Sequence, residues 1–220
     1  MSEQNDTPVL NPWWRIWVQP RQTIRWIVDT DPKLHFWPLA VFYGIVRAMD
    51  LGILTGVGDQ FSPAGVAGFL ALVGPLAGIA GVYLAASLLG LVGRSLGGKA
   101  DAVEIRAVLV WAAMPMSVLT FLALIPYFVM LGPRVFSAED LLVQRLIQGA
   151  GMTDGLLSGG LASGKALLDL VGSLYYLLIV VTGFAEVEKF GLWKAVGGFF
   201  IVMGGLMLFG LCLALTSTLI

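Results

Sequence analysis

A chain of 220 residues with 58% hydrophobic and 12% charged residues and a mean hydropathy of +0.87 cannot hide its apolar surface in a soluble core, where about 25% of residues are charged. A net charge of −1 supplies no basic excess to recruit nucleic acid. Cys212 is the only cysteine and His35 the only histidine. An intrachain disulfide and the His/Cys clusters that hold zinc, haem or copper are therefore excluded, and no cofactor is expected.

The first 35 residues are polar and aromatic, and Asn11 to Asp29 reads NPWWRIWVQPRQTIRWIVD. Trp13, Trp14, Trp17 and Trp26 alternate there with Arg15, Arg21 and Arg25. Trp favours the headgroup region and Arg reaches anionic phosphates, so the segment reads as an interfacial anchor. Ile24, Ile27 and Val28 continue an apolar stripe at helical spacing. Pro20 divides the segment into two short helices.

Residues 36–220 form the expected membrane domain. A hydrocarbon core of about 30 Å needs roughly 20 helical residues. Five apolar stretches meet that length: Phe36 to Thr55, Pro63 to Val92, Ile105 to Leu131, Ala166 to Ala185 and Leu192 to Leu219. The expected fold is an all-α five-span transmembrane bundle with an amino-terminal interfacial amphipathic segment. Gly74, Gly78 and Gly81 in the second span, and Gly197, Gly198, Gly204, Gly205 and Gly210 in the fifth, give small-residue faces for close helix packing. Pro75, Pro115 and Pro126 are expected to bend or break their helices.

Between the spans, nine basic residues fall on one side (Arg15, Arg21, Arg25, Lys33, Arg94, Lys99, Arg106, Lys189, Lys194) and three on the other (Arg134, Arg145, Lys165). The positive-inside rule then puts the amino terminus in the cytoplasm and the carboxyl terminus outside. The long outer loop from Gly132 to Lys165 carries a capped helix start at Ser137 and Asp140, an amphipathic helix with Leu141, Leu142, Arg145, Leu146 and Gln148, and a flexible Gly/Ser stretch from Gly149 to Gly164.

Two groups of charges are candidate sites. Arg47 and Asp50 lie within the first span, three apart, and can pair on one helical face; an unneeded charge at mid-bilayer costs roughly 2.5–3.5 kcal/mol. Glu104, Arg106, Glu186, Glu188, Lys189 and Lys194 gather at the cytoplasmic ends of spans three to five and can converge into a charge network. No nucleophile and base pair can be named, so an enzyme is not expected.

The stretch RSLGGKADAVEIRAVLVWAAMPMSVL, from Arg94 to Leu119, resembles the conserved loop and following span of the Yip (Ypt/Rab-interacting protein) domain family. VVTGFAEVEKFGLWKAV, from Val180 to Val196, resembles its short polar turn and Trp-Lys-Ala helix start. The opening NPW with PRQTIR is similar to the bacterial-type branch. The resemblance spans nearly the whole chain and implies five spans with a cytoplasmic amino terminus. Eukaryotic members interact with Rab GTPases in vesicle traffic through a long acidic cytosolic tail; this sequence shows no such tail, and Rab binding is not implied for it.

The reading that follows is a non-enzymatic membrane scaffold or adaptor of the Yip-like type, in membrane organisation or a trafficking-like role. The alternative is a small-solute, ion or lipid transporter using the intramembrane charges. Partner classes are the lipid bilayer with its anionic headgroups, a protein on the cytoplasmic face, and a second copy of the chain.

Overall fold

The computed structural model describes residues 11–139 and 156–217. Every regular element among them is helical: α1 (Pro12–Arg15), α2 (Pro20–Thr30), α3 (Phe36–Thr55), α4 (Pro63–Ser95), α5 (Ala102–Leu131), α6 (Leu156–Glu188) and α7 (Leu192–Ser217), with 3-10 turns at Val57–Asp59 and Gly132–Phe136. Four segments are long and apolar enough to cross a membrane: Phe36–Thr55, Pro63–Ser95, Ala102–Phe136 and Gly160–Glu188. The expected outer-loop helix around Leu141 to Gln148 lies outside the described residues.

Local chemistry sets the helix ends. The Asn11 side chain accepts the Trp13 amide at 3.2 Å ahead of Pro12. Ser62 does the same for Gly65 at 3.2 Å ahead of Pro63, where a proline lacking an N–H leaves no donor unsatisfied. Pro20 likewise opens α2, giving the two short helices expected on either side of it. Gly56, with φ of 63°, ends α3 in the left-handed conformation.

Pro75, Pro115 and Pro126 do not break α4 or α5: each proline removes one hydrogen bond from a long ladder, a loss that packed membrane helices tolerate. The Gly/Ser stretch is helical from Leu156 onward, so α6 starts ten residues before the expected Ala166; glycine is well tolerated in apolar helices of this kind.

Helices α3 to α6 run up and down, each packing on the next, with α5 the most buried. Its Ile105, Val108, Trp111 and Ala112 meet Val180 and Phe184 of α6, Leu39 and Ala40 of α3 and Val82 and Ala86 of α4 in one apolar cluster. Ile16, Ile24 and Ile27 of the amino-terminal segment are fully buried in that same cluster. The segment's apolar stripe thus faces the bundle. We call the end carrying α1 and α2 proximal and the opposite end distal.

Helices α3 and α4 touch backbone to backbone. A Cβ on Gly44 would run into the Gly74 carbonyl oxygen, and one on Gly78 would strike the Ala40 carbonyl and lie 2.6 Å from the Gly44 Cα. Lipid tails are as apolar as leucine, so association inside a bilayer draws on such close contact. A Cβ on Gly81 would meet nothing within 4 Å, so this glycine does not share in the close contact. Gly78→Ala is therefore expected to cost about 1–3 kcal/mol through overpacking, whereas Gly81→Ala leaves the thermal unfolding midpoint in detergent unchanged or slightly raised.

At the distal end Asp59 accepts the Ser137 hydroxyl at 2.5 Å and the Ala138 amide at 2.8 Å. The Ser137 hydroxyl chiefly, opposed by desolvation and aided by the backbone amides, holds this carboxyl below its ordinary value. A depressed pKa means the tie is complete above the unfolded value of about 3.9 and is lost as pH falls through the lower folded value. Hydrogen-exchange protection of Ala138, corrected for its intrinsic rate, should hold at neutral pH and collapse only below about pH 4; loss of protection already at pH 6 would contradict the tie.

Candidate functional site

Arg47 and Asp50 face each other at 3.5 Å on α3, the pairing their spacing suggests, but Asp50 has a nearer partner. Lys165 of α6 reaches its Oδ1 at 2.9 Å and Asp169 Oδ2 at 2.5 Å. Thr120 of α5 donates to the other Asp169 oxygen at 3.0 Å. Three helices are thus joined by one ammonium between two carboxylates, and Arg47 brings the group to neutrality. Asp50 lies five residues before the end of α3, about 8 Å of helical rise, so the cluster sits in the distal third of the bundle rather than at mid-span.

Beside it is a cavity of about 170 Å³ lined by Asp50, Leu124, Tyr127, Lys165 and Asp169. The Tyr127 hydroxyl is buried without a hydrogen-bond partner. Ligand pockets run about 300–1,000 Å³, so this space suits water rather than a larger solute. The proximal cavity around Glu186 shares no lining residue with it.

Among the described residues no ion pair joins the six proximal charges to one another. Glu186 of α6 is held by α2, with Arg21 Nε at 2.7 Å and Arg25 Nη2 on its other oxygen. Glu104 turns back to accept the Asp101 amide at 2.8 Å and caps α5. The Arg106 guanidinium lies 4.5 Å over the Tyr83 ring. Lys189 and Lys194 make no ion pair among the described residues. Glu104, Glu186 and Lys189 nonetheless line one proximal cavity together with Arg25 and Asp29.

Glu188 is 2% exposed. Its Oε2 accepts the Ala100 amide at 2.9 Å while Oε1 has no partner. A Cβ on Gly93 or Gly98 would collide with this carboxyl group. Gly93 in the last turn of α4 and Gly98 in the α4–α5 connection therefore leave the space in which the Glu188 side chain fits. Lys189 follows with φ of 55°, which turns the chain sharply out of α6.

The aromatic residues of the amino-terminal segment are divided between protein and surroundings. Trp13 packs edge-on against Trp111 at 5.3 Å and His35 at 5.4 Å. The buried Trp111 donates its Nε1 proton to the Leu34 carbonyl at 3.1 Å. Trp17 stacks on Tyr175 at 6.1 Å, and the Tyr175 hydroxyl shares its proton between the carbonyls of Ile16 at 2.9 Å and Trp17 at 2.8 Å. Trp26 is half-buried on the core, Arg15 reaches only Gln19 at 3.5 Å, and Trp14 alone of the four tryptophans stands mostly exposed.

Residues 14–214 match the Yip1 domain. The chain belongs to the Yip1 domain family. No curated protein and no solved structure matches it. In this Yip1 domain the two stretches that carry the resemblance, Arg94 to Leu119 and Val180 to Val196, meet in space: the loop of the first supplies Gly98 and Ala100, and the second supplies Glu188, which accepts the Ala100 amide beside Gly98. Sequence reasoning passed over Lys165, Asp169, Thr120 and Tyr127. The available signal was the four-residue spacing of Lys165 and Asp169 inside LASGKALLDLVGS, which puts both on one helical face.

If the distal cluster is a structural tie, Lys165→Met leaves Asp169 without a cation and Asp50 with Arg47 alone. It is expected to cost this Yip1 domain about 3 kcal/mol or more, read as a lower unfolding midpoint in detergent. Lys165→Met with Asp169→Leu keeps the balanced Arg47–Asp50 pair and should recover most of that loss. A double variant no more stable than the single one would refute the tie.

Proposed function

We propose that the protein is a non-enzymatic scaffold or adaptor of the bacterial-type Yip branch, embedded in the cytoplasmic (inner) membrane. It crosses five times, α7 being the fifth span, with the amino terminus in the cytoplasm and the proximal face as its docking surface for a protein partner. The nine-to-three bias of basic residues supports that orientation, and family membership over residues 14–214 supports the architecture. Anionic headgroups meet the exposed Trp14 and Arg15 at the proximal rim.

The observation that carries this reading is the closure of the in-span charges on one another. Arg47, Asp50, Lys165 and Asp169 satisfy each other across α3 and α6, an arrangement that fixes helices relative to one another and presents a constant surface. Small-solute conduction would instead call for charges held open to a passage.

Two measurements test it. Cysteines placed near Ala150 and Ile220 should react with a membrane-impermeant reagent added to intact cells, and cysteines at Lys99 and Lys189 should not; labelling at Lys99 would reverse the orientation. In cells lacking the protein, a folded Lys165→Met/Asp169→Leu variant should restore the wild-type phenotype. A variant that folds but fails to do so would show that the charges act directly, against a scaffold.

A further inference from the structure

On the proximal side, where α3 and α5 begin, Pro32, Lys33, Phe36, Trp37, Tyr83 and Arg106 line a groove of about 350 Å³, within the range of ligand sites. Its two cations differ from Arg21, Arg25, Arg47 and Lys165, each of which has a carboxylate partner. Neither Lys33 nor Arg106 makes an ion pair among the described residues. The neighbouring acids are engaged elsewhere: Asp31 accepts the Lys33 backbone amide at 2.9 Å and Glu104 the Asp101 amide at 2.8 Å. Arg106 is instead held in place by the Tyr83 ring at 4.5 Å. Phe36 packs edge-on against both Trp37, at 5.3 Å, and Tyr83, at 5.7 Å. Trp37 and Tyr83 are 60% and 39% exposed, on helices apolar enough to cross a membrane.

We propose that this groove binds the phosphate headgroup of an anionic phospholipid. Lys33 and Arg106 supply the positive charge, and the exposed faces of Trp37 and Tyr83 receive the glycerol backbone and the upper acyl chain. Basic pockets between membrane helices bind acidic headgroups, guanidinium suits phosphate oxygens, and tryptophan favours the headgroup level. The site is separate from the Trp14 and Arg15 rim and does not depend on the scaffold reading. A soluble phosphate ester offers the same charge without chains, and the test separates the two.

Full-length protein in neutral detergent is titrated with phosphatidylglycerol or phosphatidylcholine and the bound lipid counted by native mass spectrometry. Phosphatidylglycerol should bind more tightly than phosphatidylcholine. Lys33→Gln with Arg106→Gln should weaken phosphatidylglycerol about tenfold or more, at roughly a factor of five per basic residue, and Lys33→Arg with Arg106→Lys should retain it. Arg94→Gln with Lys99→Gln removes equal charge from the same end and should change affinity by no more than about twofold, as expected of screened, distant charges. Glycerol phosphate in large excess should not displace the lipid. The proposal is overturned by an unaltered affinity in the Lys33/Arg106 variant, by an equal loss in the Arg94/Lys99 variant, or by displacement with glycerol phosphate, which would mark a soluble-phosphate site. Should the double variant fail to fold, Lys33→Gln alone, at an exposed position, decides by the same titration: a loss of phosphatidylglycerol affinity supports the site and no loss removes it.

Discussion

Helix α6 carries ionised side chains near both ends, and a charge in or beside a hydrocarbon layer must be met within the protein. At the distal end Lys165 and Asp169 reach Asp50 of α3 and Thr120 of α5. At the proximal end Glu186 takes two arginines from α2, and Glu188 takes the Ala100 amide. Four other elements are thereby positioned by one helix. These ties at two levels add directional contacts to the apolar packing of α6 on α5.

The proximal arm shows which force dominates. Arg21 and Arg25 are 70% and 61% exposed, and ion pairs so open to solvent contribute about 0–1 kcal/mol. Ile16, Ile24 and Ile27 are fully buried, each worth about 1.5–3 kcal/mol when removed from water. Burial therefore holds the arm and the arginines orient it. The Tyr175 hydroxyl adds direction, since it meets the Ile16 and Trp17 carbonyls at the break between α1 and α2, where helical bonding cannot continue through Pro20.

Much of the fold was legible because bilayer thickness imposes helix length directly: the ends of α3, and the start of α4 at Pro63, fall where the apolar runs place them. The amino-terminal stripe was legible as a stripe, but periodicity says only that one face is apolar, not whether lipid or protein covers it. For the distal site, the Arg47–Asp50 spacing exposed half of the cluster. The other half was hidden by the glycines before Lys165, which read as a flexible loop in an aqueous frame and are helical in an apolar one. The proximal acids were located at the right level, but level does not specify neighbours: Glu104 is diverted to its own helix start and Glu186 to an arm whose docking no local pattern reveals.

Glycines that look alike in sequence play three different parts here, and only the surroundings distinguish them. Gly44, Gly74 and Gly78 bring two backbones together. Gly93 and Gly98 leave room for a carboxylate. A Cβ on Gly81, Gly197, Gly204 or Gly205 would meet nothing within 4 Å, whereas one on Gly198 would touch Leu96, Val92 and Phe184, so of these α7 glycines only Gly198 packs into the bundle. The first kind tolerates no added atom because its neighbour is main chain. The second tolerates one only if Glu188 moves, and moving it would expose the Ala100 amide and leave a buried acid with neither oxygen bonded, a loss of about 1–3 kcal/mol or more for a charged group. The α4–α5 connection is thus as constrained as the helices it joins, because Glu188 of a distant helix end occupies the room its backbone leaves.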